Sequence, residues 1–280
     1  MTLSLQQRAK VVGYWFKYFR NPVLILLTRL GWIKVAYCSY DIRKERCCYR
    51  MLVRPVPNAG GDLWVLREVL IEETYKSILG LLPARPVRVV DIGANIGAFT
   101  IWLHRQCGVL EGFLFEPDLD SFSICQFNLN QNGCDDVRLN RQAIGGITRE
   151  TEMWVDSAQP ARSSLCRQSL NGRTQKTHVV ALSDWLETVS GDFDLLKLDC
   201  EGSEWEILDA GAKAFSRFGL VVAEVHRDLS GKHDIGDFPT SLAKHGFTTL
   251  RWDARSNGVY IGRRDSSSPA DSRTDNIHTS

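Results

Sequence analysis

The segment Val89-Val90-Asp91-Ile92-Gly93-Ala94-Asn95-Ile96-Gly97-Ala98-Phe99-Thr100 constrains the fold more than any other stretch of this chain. An apolar strand pattern ends in an acid, and a glycine turn then opens a helix pattern. Glycine supplies backbone conformations that other residues avoid. A turn built from it lets backbone amides and the helix N-terminus approach a ligand closely. In an open α/β sheet the ligand crevice lies beyond the carboxyl ends of the strands, near the switch point. A dinucleotide fingerprint would place glycine at the first, third and sixth positions of the turn. Here the third is Asn95, the sixth is Ala98, and Gly97 is fifth. Asn95 obstructs the close approach of a pyrophosphate. Asp91 at the strand end repels phosphate and attracts a cation.

A second acid extends this reading. Glu116 ends the next apolar run, 19 residues after Gly97. A carboxylate there can accept hydrogen bonds from both hydroxyls of a ribose. Turn and acids together suit a cationic nucleoside cofactor without phosphates, and S-adenosylmethionine is such a molecule. The plain alternative, that Asp91 and Glu116 only cap helices, explains neither their spacing nor their place at strand ends.

From residue 87 the pattern alternates between strand and helix. Strands are expected at 87–92, 112–116, 136–140, 178–182, 193–199, 219–226, 247–252 and 258–263. Helices are expected near 96–107, 118–132, 183–188, 203–214 and 237–245. Repeated βα units with apolar strands argue for a mostly parallel sheet covered on both faces. The last two strands follow each other without a helix, which fits an antiparallel hairpin closing the sheet edge.

Upstream, two amphipathic helices are expected at about 5–19 and 22–31, with Asn21 as cap and Pro22 in the first turn of the second. Residues 35–57 suggest a small β-hairpin, and 62–82 a helix with an Asp cap. The chain thus divides into a basic extension (1–61), the α/β domain (62–263) and a polar, disordered tail (264–280). The formal net charge is +1, but residues 1–60 hold eleven basic and two acidic residues, a net +9. The remainder is therefore −8, which gives no reason to expect a nucleic-acid partner for the α/β domain. The longest apolar run in the extension, Val23 to Leu27, is too short to span a bilayer. Residues 1–34 could pack on the domain as a lid or oligomer contact, or make peripheral contact with an anionic membrane. The N-terminus lacks a signal-peptide pattern and no C-x-x-C pair occurs, so a cytoplasmic protein with reduced thiols is expected.

The order DIGANIGAFT, FEPD, FNLNQNG, AIGG and LLKLDCEGSEWEIL resembles the FkbM family of S-adenosylmethionine-dependent methyltransferases, over about residues 62–250. The resemblance implies a class I, Rossmann-like domain with a seven-stranded, mostly parallel sheet and an antiparallel last strand. It implies methyl transfer, usually to a hydroxyl oxygen. By that likeness Asp91, Gly93, Asn95 and Gly97 line the cofactor, Glu116 holds the ribose and Ala143 lies near the adenine. A hydroxyl on a sugar, a glycan or a secondary metabolite is the expected acceptor. N-methylation and RNA modification stay open as alternatives.

Asp199, Cys200, Glu201, Gly202 and Glu204 follow the strand FDLLKL, and Glu224 and His226 end the next strand. Methyl transfer from a sulfonium is an in-line displacement that needs alignment and a proton acceptor. A neutral His226 has a suitable ordinary pKa of about 6.5. Asp199 or Glu201 would serve if burial raised its pKa. Asp199 or Ser203 could also simply cap the next helix, and Glu204 reads as a solvated helix residue. Asp199, Glu201, Glu224 and His226 are donors at neighbouring strand ends, but such carboxylates are commonplace and no metal is expected. Ser163 and Ser164 could bond cofactor or acceptor, and Ala161-Arg162 could reach an anionic acceptor.

Overall fold

The computed structural model describes residues 5–54, 61–156, 163–165, 172–254 and 258–265. Its centre is a seven-stranded sheet. The strands are β3 (Val87–Ile92), β4 (Val109–Phe115), β5 (Val137–Asn140), β9 (Phe193–Leu198), β10 (Phe218–Val225), β11 (Phe247–Asp253) and β12 (Gly258–Arg264). Their spatial order is β11-β12-β10-β9-β3-β4-β5. β3 pairs in parallel with both β4 and β9, and the chain reverses its winding direction there. That places the switch point at the end of β3, where the glycine turn begins.

β12 pairs antiparallel with both β10 and β11. The two last strands do form an antiparallel pair, as expected, but they do not simply close the edge. β12 inserts between β10 and β11, and β11 is the edge strand. The local sequence specifies a hairpin, and only β10 decides which of its strands pairs inward.

Alternation of side chains across each strand divides the core in two. On one face Val87, Val89, Leu114, Leu195 and Leu220 pack against α4 (Ala98–Cys107) and α5 (Leu119–Gln131). On the other, Val90, Ile92, Phe113, Phe115, Leu196 and Leu198 pack with Trp185 of α6 (Leu182–Glu187), Trp205 of α7 (Glu204–Asp209) and Phe238 of α9 (Phe238–Ala243). The expected helix at 203–214 is interrupted at Ala210–Gly211 and resumes as the single turn α8 (Ala212–Phe215).

The strand expected at 178–182 is the end of β8 (Gly172–Ala181), and it lies outside the main sheet. It joins β6 (Ala143–Gly145) and β7 (Arg149–Asp156) in a separate three-stranded sheet, order β6-β8-β7. β6 and β7 were not legible in advance: three residues carry no period, and RETEMWVD is half-exposed. Arg149 of β7 pairs with Glu206 of α7, which ties this small sheet to the main body.

The N-terminal region holds α1 (Leu5–Tyr18), α2 (Pro22–Arg29) and a hairpin of β1 (Cys38–Lys44) and β2 (Cys47–Val53). Asn21 occupies the N-cap position of α2, as expected, but its side chain makes no capping bond. Its amide instead donates to the Ser39 carbonyl at 3.2 Å. The hairpin is fastened to α5 by two side-chain amides one helical turn apart. Asn128 accepts from Leu52 N at 2.6 Å and donates to Leu52 O at 3.1 Å and Ile96 O at 2.9 Å. Asn132 accepts from Arg50 N at 3.1 Å and donates to Arg50 O at 2.8 Å. The two amides thereby continue the β-ladder along alternate residues of β2. Buried Tyr40, Ile42, Tyr49 and Met51 share one core cluster with Phe99 and Trp102.

The segment expected as one helix at 62–82 is broken. It runs as α3 (Asp62–Leu66), a π-helical turn (Arg67–Ile71) and, after a bend with Glu73 at φ 52°, a 3-10 turn (Lys76–Leu81). Asp62 is not the cap; Gly61 is. Burial of Asp62 demands a partner, and Arg54 supplies it with three bonds of 2.8, 3.0 and 2.8 Å. The expected disordered tail, 264–280, lies outside the described residues beyond Asp265. Each described cysteine is a free thiol.

Replacing Asn128 by Ala removes three bonds from buried backbone groups. Urea unfolding should register a loss of roughly 2–4 kcal/mol. A loss below about 1 kcal/mol would mean that the hairpin is not held by this amide.

Candidate active site

The glycine turn is shaped by three consecutive left-handed positions at alternate residues: Gly93 (φ 80°), Asn95 (φ 49°) and Gly97 (φ 82°). A Cβ on Gly93 would stand 1.8 Å from the Asp199 carbonyl oxygen, so the turn can lie against the end of β9 only as glycine. Asn95 adopts a conformation that costs most side chains energy, though asparagine tolerates it better than others. Its amide N–H donates to Glu116 Oε2 at 2.7 Å, and Asp118 N donates to Oε1 at 2.9 Å. Glu116 thus clamps the turns after β3 and β4 together. Burial drives its pKa up to about 7 against the pull of these amides.

Beyond the strand ends lies a cavity of about 500 Å³, within the range of ligand sites. Gly93, Asn95, Glu116, Ala143, Asp199 and Glu201 line it, so six of the nine residues singled out in the sequence meet there. Ser163 lines it as well; Ser164 instead donates its hydroxyl to the Glu201 carbonyl at 2.6 Å. Ala161-Arg162 lie outside the described residues.

Asp91, Gly97 and His226 are not in the wall. Asp91 is fully buried behind the turn. Thr100 Oγ1 donates to it at 2.8 Å, and Lys197 Nζ stands 3.0 Å from its other oxygen. The cation that Asp91 holds is therefore a lysine of the chain itself. Lys197 also donates to Gly93 O at 2.9 Å and lies 3.4 Å from Asp199. Burial alone would lower the Lys197 pKa, but Asp91 and Asp199 outweigh it and push it above the usual lysine range. Gly97 caps α4 from inside the fold, where a Cβ would stand 3.0 Å from Cys125 Sγ.

His226 sits behind the acidic wall among three carboxylates. Nδ1 is 3.2 Å from Glu204 Oε1, and Nε2 is 3.7 Å from Glu201 and 3.9 Å from Glu224. Burial would favour the neutral ring, but the hydrogen bond and charge of Glu204, then Glu201, raise its pKa to about 10. These surroundings favour the protonated ring over the neutral base expected from the sequence. Glu204 is equally far from its expected solvated state. It is fully buried and accepts from Cys200 N at 2.7 Å and Gly202 N at 2.9 Å. His226 then holds its pKa below the usual carboxylate range despite burial.

Glu201 differs. Its backbone is left-handed (φ 53°), and burial raises its carboxyl to about 7, with His226 opposing and Asp199 adding. Glu68 also lines the cavity, pushed up to about 7 by burial and then by Glu224 and Asp199. Sequence reading missed Glu68, because its approach depends on the π-helical turn, which no periodicity announces. Among the described residues no three side chains converge as metal ligands.

Residues 91–249 match the Methyltransferase FkbM domain family. The chain belongs to the FkbM methyltransferase family. It is 30% identical over 226 residues to the 31-O-demethyl-FK506 methyltransferase FkbM of Streptomyces tacrolimicus, covering 69% of this chain and 84% of that one. It is 27% identical over 180 residues to Methyltransferase 1 of Beauveria bassiana (strain ARSEF 2860), covering 57% and 71%. Among solved structures, magnesium protoporphyrin IX methyltransferase (ChlM) from Synechocystis PCC 6803 aligns with a TM-score of 0.46 at 12% identity, over 73% of this chain and 82% of that one. In this FkbM-family methyltransferase the family match covers the glycine turn, the Glu116 and Asp199–Glu204 loops and the strands β4, β5, β9 and β10.

The imidazolium gives a direct check. Its raised pKa means that folding binds this proton more tightly than the unfolded chain does. The stabilisation is full below about pH 6.5 and fades as pH rises through about 10. Nuclear magnetic resonance of the ring nitrogens should find His226 charged at pH 8, and Glu204→Gln should lower its pKa. A ring that titrates near its ordinary pKa in the wild type would contradict this electrostatic arrangement.

Proposed function

We propose that this methyltransferase moves a methyl group from S-adenosylmethionine to a hydroxyl oxygen of a sugar, glycan or secondary metabolite. The observation that carries the reading is Glu201, a cavity-lining carboxylate whose pKa of about 7 suits a general base at neutral pH.

The wall suits the cofactor. Glu68, Glu116, Asp199, Glu201 and Glu224 face Lys197 in the lining, an excess of carboxylate that favours a cation and opposes phosphate. Among the described residues Asn95 Oδ1 is buried without a partner, an acceptor left for a donor from a ligand. Each Glu116 oxygen accepts one amide bond, and a carboxylate has lone pairs for about two more. Bound there, S-adenosylmethionine supplies a methyl group on a positively charged sulfur.

The chain's own residues do the rest. Glu201 takes the proton of the acceptor hydroxyl. Glu204 braces the amides on either side of Glu201, and Ser164 holds its carbonyl. Asp199, half-exposed and anchored by Lys197, orients the acceptor through a hydrogen bond. His226 steadies the ionised form of Glu201 from behind the wall. The Streptomyces relative is named for an O-demethylated substrate, which favours oxygen over nitrogen.

Glu201→Gln should lower turnover by about 10²–10⁴-fold while leaving cofactor affinity within about threefold. In the wild type, turnover should rise as pH passes through about 7, because the base must be ionised. Glu116→Ala should weaken cofactor binding in calorimetry by about tenfold or more. Unchanged turnover in Glu201→Gln, or a methyl group found on nitrogen in the product, would sink the O-methyl reading.

A further inference from the structure

The first forty residues carry six basic side chains and no acid. The structure gives this segment a definite surface. On α2, Ile25 and Thr28 face the core and are buried. The opposite side of that helix presents Val23, Leu26, Leu27 and Leu30, residues three and four apart along one stripe. Val23 and Leu30 at its two ends are more than half exposed. The chain then continues with Trp32, 76% exposed, followed by exposed Val35 and Tyr37. Phe16 on α1 is exposed as well. Lys17, Arg20 and Lys34 are exposed in the same segment.

An apolar stripe of this size next to a net positive charge, with Arg20 3.7 Å from Asp41 and Lys17 and Lys34 exposed beside it, is more than scattered surface leucines. We propose that α2 and residues 30–37 dock on an anionic lipid surface. The apolar side chains and Trp32 enter the interface, and the basic side chains meet the head groups. No helix among the described residues is long and apolar enough to cross a membrane, so the contact is interfacial. Charge complementarity selects this occupant over a second copy of the chain, because two such faces would bring like charges together.

The docking segment follows α1, and α1 is linked to the mouth of the cavity. The Arg67 guanidinium lies 5.4 Å from the Tyr14 ring of α1 and 5.2 Å from the Trp64 ring. Trp64 is half-exposed and lines the cavity. Lys44 of the hairpin donates to Ile71 O at 3.0 Å, fixing the same helical segment from its far end. Docking therefore holds the cavity's rim in fixed relation to the lipid surface.

Co-sedimentation of the full chain with vesicles tests this without cofactor or acceptor, so its outcome is separate from that of the methyl-transfer reading. One set is phosphatidylcholine alone; the other adds about 30% phosphatidylglycerol. The wild type should bind the anionic vesicles about tenfold or more tightly than the neutral ones, with binding weakened by salt. Trp32→Glu with Leu30→Glu should lower anionic binding by about tenfold, as should Lys17→Glu with Lys34→Glu. These side chains are exposed, so circular dichroism should show an unchanged fold. Absence of wild-type binding, or binding indifferent to both pairs of substitutions, would overturn the proposal. So would a wild-type dimer in light scattering that Leu30→Glu turns into a monomer, since a second copy would then cover the face.

Discussion

One buried ammonium holds the centre of this structure together. Lys197, near the end of β9, reaches across to β3 and contacts Asp91, the Gly93 carbonyl and Asp199. A lysine so buried costs folding energy unless its charge is matched and its donors are used. Here two carboxylates match it, and the Gly93 carbonyl accepts one of its hydrogen bonds. Removing one partner of such a pair typically costs about 3–5 kcal/mol, because the other is left charged and dry. The same contacts join the two strands at the switch point and fix the turn on which the cavity rests.

The cavity's chemistry grows from that fixed point. With Asp91 neutralised internally, the charge offered to a ligand comes from the second rank of acids: Glu116, Glu68, Asp199, Glu201 and Glu224. Behind them His226 and Glu204 form a buried pair of opposite charge. The pair keeps Glu204 ionised, while burial raises Glu201 to about 7. Environment thus separates two neighbouring glutamates into a brace and a base, as expected where titratable groups share a site.

Much of this was legible in the sequence because strand ends and glycine turns have local signatures. The glycine turn and the family likeness point to Gly93, Asn95 and Glu116 in the cavity wall, and the carboxyl end of the strand FDLLKL points to Asp199 there. Where reading failed, the cause was contact between distant segments. Asp91 was assigned to a ligand cation because nothing local reveals that Lys197, 106 residues later, supplies the cation internally. An ordinary pKa for His226 follows from the sequence because nothing local brings Glu201 of the β9–α7 loop and Glu204 of α7 to the end of β10. Asn128 and Asn132 lie on the helix expected near 118–132, with no local sign that they complete a ladder with β2. The insertion of β12 and the small sheet of β6 to β8 are likewise decisions of tertiary packing, which override local pattern.

The family of the chain, the fold and the cavity converge on methyl transfer, and the exposed basic-apolar N-terminal face suggests where that transfer takes place. The account rests on the cavity between the β3 turn and Glu116 being the cofactor site. A crystal structure grown with S-adenosylhomocysteine measures this most directly. The account predicts electron density for the nucleoside in that cavity, with its ribose against Glu116. Density elsewhere on the molecule, or a vacant cavity at saturating ligand, would contradict it.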